Sequence, residues 1–432
     1  MRGRPPTLTL PPEGGGDTNF PSPEGRGNPA KCSVIGLRGT APHPNPPPEG
    51  GGNKIRAGKK YSLAPEGGGN KIRAGKKYSL APEGGGNKSC FGLCRTAIYH
   101  TRLGTGLRRS RMAKHSIIID CDPGQDDAIN LLLAFSSPEE LDILGLTTVA
   151  GNVPLELTQR NARLMCDLAG RRDVRVYAGC ARPLVQDLIT AENVHGSTGI
   201  DGMEIKEPRL PLEEKHAIDF IVDCLRSAHD DAVILVPTGP LTNIAMAMVK
   251  APDIVPKIRK IVMMGGAMRE GGNHSASAEF NILVDPHAAH VVFNCGRPIV
   301  AMGLDVTHQV LASKSRIDRI RQLDNPVASA ACGMLEFYGR HDSKKYGLDG
   351  SPLHDPCTIA WLLRPDIFEG KACNVTVEIH SALTLGHTAV DFWNVTGRPE
   401  NAVWIHRVDA DAFYDLLAER LARYSDLGPV AE

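Results

Sequence analysis

The run SIIIDCDPGQDDAINLLLAF, Ser116–Phe135, decides how the chain folds. It opens with a short β-branched stretch that suits a strand buried on both faces, and it closes with an apolar segment of helical length and spacing. The junction between them, DCDPGQDDA from Asp120 to Ala128, packs four carboxylates into eight positions. Downstream the alternation returns: Ile143–Gly151 then Leu155–Gly170, Ala232–Gly239 then Leu241–Val249, followed by Lys260–Gly266 and Arg297–Asp305. Such strand-like runs between amphipathic segments predict βαβ units. The expected class is therefore α/β: a single large Rossmann-like domain over residues 112–432, with a mostly parallel central sheet flanked by helices. No composition shift inside that stretch argues for a linker.

Upstream the composition is different. Residues 1–111 are rich in Gly, Pro, Lys and Arg, show neither helical nor strand periodicity, and are expected to be disordered because no core offsets the ordering entropy. NKIRAGKKYSLAPEGGG occupies Asn53–Gly69 and again Asn70–Gly86, and PEGGG starts at Pro12, Pro48, Pro65 and Pro82. A solenoid needs an apolar face on each repeat, which this one lacks. The segment reads either as a basic tail for anionic partners or as translated repetitive upstream DNA. The second reading is favoured, with Met112, just ahead of the first strand, as the true start.

Several classes of function are disfavoured by composition. The first residues lack the apolar run of a signal peptide, and no stretch of eighteen apolar residues suggests a membrane span, so a cytoplasmic protein is expected. The eleven cysteines are dispersed without a CxxC pair, and Cys166, Cys224 and Cys295 sit in helix-like apolar surroundings, which argues against disulfides and a zinc site. Forty-nine basic residues balance forty-nine acidic ones, leaving no electrostatic footprint for nucleic acid.

In open parallel sheets ligands bind beyond the carboxyl ends of the strands. Polar residues collect there: Asp120, Asp122, Asp126 and Asp127 after the first strand, Asn152 after the second, Thr238 after AVILVP, and Met264-Gly265-Gly266 after KIV. Carboxylates packed as in DCDPGQDDA repel strongly unless a cation or protons relieve them. A ligand set of carboxylate and carbonyl oxygens suits calcium or magnesium rather than zinc. Helix N-capping accounts for one or two acids, not four.

DCDPGQDDA resembles the DxDPGxDDA signature of the inosine-uridine preferring nucleoside hydrolases. Further family-like blocks follow in order: VAGN at Val149–Asn152, VHG at Val194–Gly196, PTGPLTN at Pro237–Asn243, MGG at Met264–Gly266, AEFN at Ala278–Asn281 and HDP at His354–Pro356. Gln125 departs from the apolar residue or histidine common at that place, but it removes no expected ligand.

The resemblance implies a nucleoside hydrolase-like fold and hydrolysis of the N-glycosidic bond of ribonucleosides to base and ribose. It implies calcium held by Asp122, Asp127, the Thr238 carbonyl and Asp355, with Asp122 as base toward the attacking water. Asp126, Asn273, Glu279 and Asn281 would hold the ribose hydroxyls, Asn152 would lie near the reacting face, and Met264 would pack on the sugar. Positive charge building on the ribose explains why carboxylates and amide oxygens surround it. His354 would protonate the leaving base with His195 assisting. Phe280, Tyr338 and Tyr346 are aromatic candidates for stacking on the base. The polar, Gly-containing segment Gly339–Leu353 is expected to be a mobile loop over the site. The pair of histidines resembles pyrimidine-leaning or broad members, and the family implies a homodimer or homotetramer.

Two rival readings remain. A calcium- or nucleoside-binding module without catalysis would keep the metal ligands and lose the base or acid, yet both are present. A haloacid dehalogenase-type phosphohydrolase would use Asp120 and Asp122, but Gly124 stands where Thr or Val is wanted, and AEFN and HDP go unexplained. Ligand spacing excludes an EF-hand, and the acidic turn after the first strand disfavours a dinucleotide site.

Overall fold

Ile117, Ile118 and Ile119 lie in β1 (His115–Cys121), an interior strand that exposes none of their surface. The computed structural model describes residues 114–346 and 349–426, with 341–346 described by backbone alone. The repetitive segment 1–111, the Met112 start and the side chain of Tyr346 lie outside the described residues.

The remaining strands are β2 (Leu141–Thr148), β3 (Val176–Ala178), β4 (Val233–Pro237), β5 (Ile258–Met264), β6 (Ile299–Met302), β7 (Phe368–Val377), β8 (Thr388–Asp391) and β9 (Ala402–Val408). They form one nine-stranded sheet in the order β3-β2-β1-β4-β5-β6-β9-β7-β8. From β3 to β9 every neighbour is parallel, and β7 then pairs antiparallel with both β9 and β8. The helices are α1 (Gln125–Phe135), α2 (Leu155–Leu168), α3 (Glu192–His195), α4 (Ala217–Arg226), α5 (Thr242–Lys250), α6 (Phe280–Val284), α7 (Pro286–Phe293), α8 (Leu304–Thr307), α9 (Lys314–Arg321), α10 (Pro326–Tyr346), α11 (Pro356–Leu363) and α12 (Ala410–Ala422).

Period-two alternation divides the strand side chains between two cores. Ile117, Ile119, Ile234, Val236, Val262 and Met302 meet the helices α1, α2 and α9 to α12. Ile118, Val233, Leu235, Ile261, Met263 and Trp404 face α4, α5 and α7. A sheet covered on both faces reads as continuous apolar runs, as SIIID and AVILVP do.

The chain winds outward one way through β1, β2 and β3 and the other way through β4, β5 and β6. The switch point falls between β1 and β4, where the loops after the two strands part and leave a crevice. At that place β1 ends in Asp120 and Cys121, and β4 ends in Pro237 followed by Thr238.

One expectation is overturned. Helix α10 continues to Tyr346, so the first half of the segment expected to be a loop is helical. Gly339 lowers helix propensity by only about 1 kcal/mol, and a long helix already docked on its neighbours absorbs that.

Ile118 tests the two-sided core. Ile118→Ala should cost about 2–5 kcal/mol. In a denaturant titration this would appear as a lower midpoint with an unchanged slope; an unchanged midpoint would contradict the packing described.

Candidate active site

Asp120, last but one in β1, is completely buried. Its Oδ1 accepts from Thr147 Oγ1 at 2.6 Å and from Asn243 Nδ2 at 2.8 Å, while burial pushes its pKa up to about 7. Asp120 therefore ties together the ends of β1, β2 and β4's following helix, behind the crevice.

Asp122 is the next carboxylate on the same side of the chain and is also fully buried. Its Oδ2 accepts the Asn152 backbone N–H at 2.7 Å, and the Asn152 amide donates back to the Asp122 carbonyl at 3.1 Å and to Asp127 Oδ2 at 3.3 Å. Two glycines from other loops enclose the carboxylate: a Cβ on Gly151 or Gly239 would lie 2.0 Å or 2.4 Å from its oxygens. The loops after β2 and β4 can approach Asp122 this closely only without a side chain.

Asp127 performs a capping task, its Oδ2 accepting the Gly124 N–H at 3.2 Å at the start of α1, and its Oδ1 accepts from Thr238 Oγ1 at 2.7 Å. Carboxylate oxygens of Asp126, Asp127 and Asp355 lie within 4.8 Å of one another, all buried. Oδ1 of Asp122 and Oδ1 of Asp126 have no hydrogen-bond partner among the described residues. Burial raises the pKa of Asp122, Asp126, Asp127 and Asp355, and the charge of the neighbouring aspartates raises Asp122, Asp126 and Asp355 further. Such a group cannot stay fully ionised without a compensating cation. Capping explains Asp127 alone; the unpartnered oxygens fit the demand of a hard cation for oxygen ligands.

The site opens into a cavity of about 520 Å³. Asp126, Asn152, Thr238, Met264, Asn273, Glu279, Asn281 and Asp355 line it, together with His195, Phe280, Tyr338 and His354. Glu279 caps α6, accepting from the backbone N–H groups of Asn281 (2.9 Å), Ile282 (3.2 Å) and Gly266 (2.9 Å), while burial raises its pKa. Asn281 donates to the Thr238 carbonyl at 2.7 Å, and Asn273 Oδ1 accepts the Phe280 N–H at 2.9 Å.

His354 Nδ1 sits 2.7 Å from Thr307 Oγ1. Burial, then His308 and His195, push its pKa down to about 3. His195 stacks on Tyr338 with ring centroids 5.4 Å apart.

Every residue expected at the site is thus brought to one place except Tyr346, whose side chain lies outside the described residues; Asp122 and Asp127 stand directly behind the cavity wall. Sequence reading missed His308, Glu270 and His274, which also line the cavity. His308 Nδ1 lies 3.1 Å from Glu270 Oε2, and its ring is 5.8 Å from that of His354. His308 follows the carboxyl end of β6, so the strand-end rule could have found it.

Comparison with known proteins agrees with this geometry. The family model described as inosine-uridine preferring nucleoside hydrolase matches residues 117–415. An uncharacterized protein of Schizosaccharomyces pombe is 51% identical over 307 residues, covering 71% of this chain and 99% of the relative. The pyrimidine-specific ribonucleoside hydrolase RihA of Photobacterium profundum is 48% identical over 309 residues, covering 71% of this chain and 99% of its own length. Among solved structures, the purine-preferring ribonucleoside hydrolase from Gardnerella vaginalis superposes with a TM-score of 0.68 at 33% identity, over 72% of this chain and 100% of its own. With its signature carboxylates gathered at the switch point and the match spanning nearly the whole described fold, the chain belongs to the inosine-uridine preferring nucleoside hydrolase family.

Proposed function

We propose that the protein hydrolyses the N-glycosidic bond of ribonucleosides, pyrimidine ribonucleosides foremost, to free base and ribose. The observation that carries this is a single cavity in which buried carboxylates, Asp126 with its unpartnered oxygen among them, share the wall with a set of histidines. Its sugar-binding and base-handling groups face the same space.

The donor set is all oxygen and suits calcium, with Asp122, Asp127, the Thr238 carbonyl and Asp355 as ligands. When bound, the cation supplies positive charge that orients ribose hydroxyls and eases loss of a proton from water. Asp122 accepts that proton, and the backbone N–H of Asn152 with Gly151 and Gly239 keeps its carboxylate in one orientation. Asp126, Asn273, Glu279 and Asn281 hold the ribose hydroxyls while Met264 packs on the sugar. Carboxylates near the ring stabilise the oxocarbenium-like charge.

His354 supplies the proton to the departing base. A histidine held this far below its usual pKa is neutral at neutral pH. With the Thr307 hydroxyl donating to Nδ1, its proton resides on Nε2, where a neutral imidazole still acts as a donor. His195, Phe280 and Tyr338 complete the base site.

Pyrimidine preference is favoured because identity to RihA, 48%, exceeds that to the solved purine-preferring enzyme, 33%. We further read residues 112–432 as the working domain, acting in the cytoplasm as a homodimer or homotetramer. Among the described residues no helix is long and apolar enough to cross a membrane.

Three outcomes are expected of the purified protein. Calcium chelation should abolish ribose release from uridine and lower the melting temperature, both restored by calcium, since a ligand at 100 times its Kd stabilises by about 2.7 kcal/mol. Retention of full activity after exhaustive chelation would refute the metal assignment. Asp122→Asn should lower kcat about 10²- to 10⁴-fold with the fold intact by circular dichroism, as expected for loss of a general base. Deoxyuridine should be a poor substrate because the groups that meet the 2′-hydroxyl would be left unpaired; equal kcat/KM for uridine and deoxyuridine would contradict the ribose site.

A further inference from the structure

Residues 265–279 run from the end of β5 to the start of α6 without helix or strand, and they bring Asn273 and Glu279 to the cavity. Fixing so long a stretch costs backbone entropy at every residue. Its internal backbone hydrogen bonds are long: the Gly272 N–H reaches the Ala276 carbonyl at 3.4 Å, and the Ser275 N–H reaches the Ala278 carbonyl at 3.4 Å. The shorter holds come from side chains outside the loop. Thr388 Oγ1 accepts the Ala267 N–H at 2.9 Å and donates to the Ala267 carbonyl at 2.7 Å. Asp305 then takes the next two backbone groups, accepting from Met268 N–H at Oδ2 and from Arg269 N–H at Oδ1, both at 2.7 Å. The Arg269 guanidinium lies over the Phe392 ring, 5.1 Å from its centroid, so the carboxylate grips backbone while the arginine's charge is engaged elsewhere.

Asp305 belongs to α8, and the same short helix serves the histidine side of the cavity. Thr307 Oγ1 is 2.7 Å from His354 Nδ1, and His308 meets Glu270, a residue of the loop, at 3.1 Å. Residues three apart share a helix face, so Asp305 and His308 make two holds on one loop while buried Thr307 reaches His354. The helix is itself fixed. Leu304 and Val306 expose no surface, and the Gln309 amide donates to the Asp305 carbonyl at 2.6 Å and to the His406 carbonyl of β9 at 2.9 Å.

We propose that Asp305 is a positioning residue for the ribose: its carboxylate clamps the loop that carries Asn273 onto α8, so that one helix sets the sugar-holding loop against His354. An acid in the first turn of a helix is also favoured by the helix dipole, but that effect requires no partner on another element. Two short bonds from consecutive N–H groups to the two oxygens of one carboxylate are a directed, charge-assisted grip. Released from Asp305, Asn273 loses its fixed place while His354 keeps its contact with Thr307. Binding of the sugar therefore suffers before the chemistry does. This deepens, and rests on, the reading of the cavity as a nucleoside site.

The test joins amide exchange to kinetics in the full chain. In the wild type, hydrogen–deuterium exchange resolved to single residues should find the Met268 and Arg269 amides protected; in Asp305→Ala both should exchange faster, with the amides of β1 unchanged. Asp305→Ala should raise KM for uridine on the order of tenfold, the worth of charge-assisted hydrogen bonds, with kcat changed less than about threefold. Asp305→Asn, which keeps one acceptor oxygen, should fall between the wild type and Asp305→Ala. Introduced into Asn273→Ala, Asp305→Ala should add less than about twofold. Unprotected Met268 and Arg269 amides in the wild type would overturn the proposal without any variant having to fold. Faster exchange with unchanged KM would overturn it too, and so would an equal loss in the Asn273→Ala background, since Asp305 would then act through something other than Asn273. If the wild type releases ribose from no nucleoside, the reading of the cavity fails and takes the proposal with it; if the wild type is active and Asp305→Ala matches it, the positioning role alone fails.

Discussion

Burial of acid is the constraint on which the rest of this structure depends. Asp120, Asp122, Asp126, Asp127 and Asp355 are each at most 4% exposed. The effective cost of burying an uncompensated charge is several kcal/mol per ion, while a whole domain is stable by only about 5–15 kcal/mol. Such a cluster survives only where donors, protons or a cation answer it. The fold provides donors from every direction: the Asn152 N–H after β2, the Thr238 hydroxyl after β4, the Gly124 N–H at the turn into α1, and Thr147 and Asn243 on Asp120. Of the oxygens left over, that of Asp122 belongs to a proposed cation ligand, and that of Asp126 belongs to the carboxylate grouped with the proposed ligands Asp127 and Asp355. The instability that remains without a cation would couple folding to binding of the proposed metal.

Topology makes that convergence affordable. Only at the switch point do loops from neighbouring parallel strands part, and the carboxylates sit on the first of the strands that flank it. Because β1 is packed on both faces, its end cannot drift toward either side, so Asp122 inherits the rigidity of two cores. Gly151 and Gly239 then let two other loops close on that fixed carboxylate. Preorganisation here is a product of backbone proximity more than of side-chain packing.

Much of this was legible before any coordinates. SIIID, ILGLTT, AVILVP and KIVMM read as strands because full burial demands uninterrupted β-branched and apolar runs, and the acidic turn marked the site because capping could not account for four carboxylates. The strands β7, β8 and β9 were not read. In β7 the first half is mostly exposed, at Glu369, Gly370 and Ala372, and alternation is confined to Cys373–Val377, too short a run to stand out as a strand. The helical stretch of α10 up to Tyr346 was read as loop because polar residues and Gly339 suggest flexibility when the docking of the preceding turns is unknown. Glu270 escaped for a different reason: its pairing with His308 spans 38 residues, and nothing local in its own segment signals that partner.

The histidines show how the same acidic cluster shapes the other side of the cavity. His354 precedes Asp355 directly, and a cation among the carboxylates would add its own positive charge to the burial and the neighbouring histidines that already hold His354 far below its ordinary pKa. A stored imidazolium is therefore the wrong form for this place. A neutral ring can still pass a proton if its N–H points at the leaving base, and this shifts the problem from charge to tautomer. Tautomer is set by whatever meets the far nitrogen. For His354 that group is a hydroxyl, which can donate or accept and so permits the ring to lose and regain a proton within one turnover. For His195 it is an amide oxygen, which can only accept and so holds the ring in one form. The two partners differ by this single chemical property: the hydroxyl leaves the tautomer of its histidine open, and the amide oxygen, that of Gln125, requires a proton on the nitrogen that faces it.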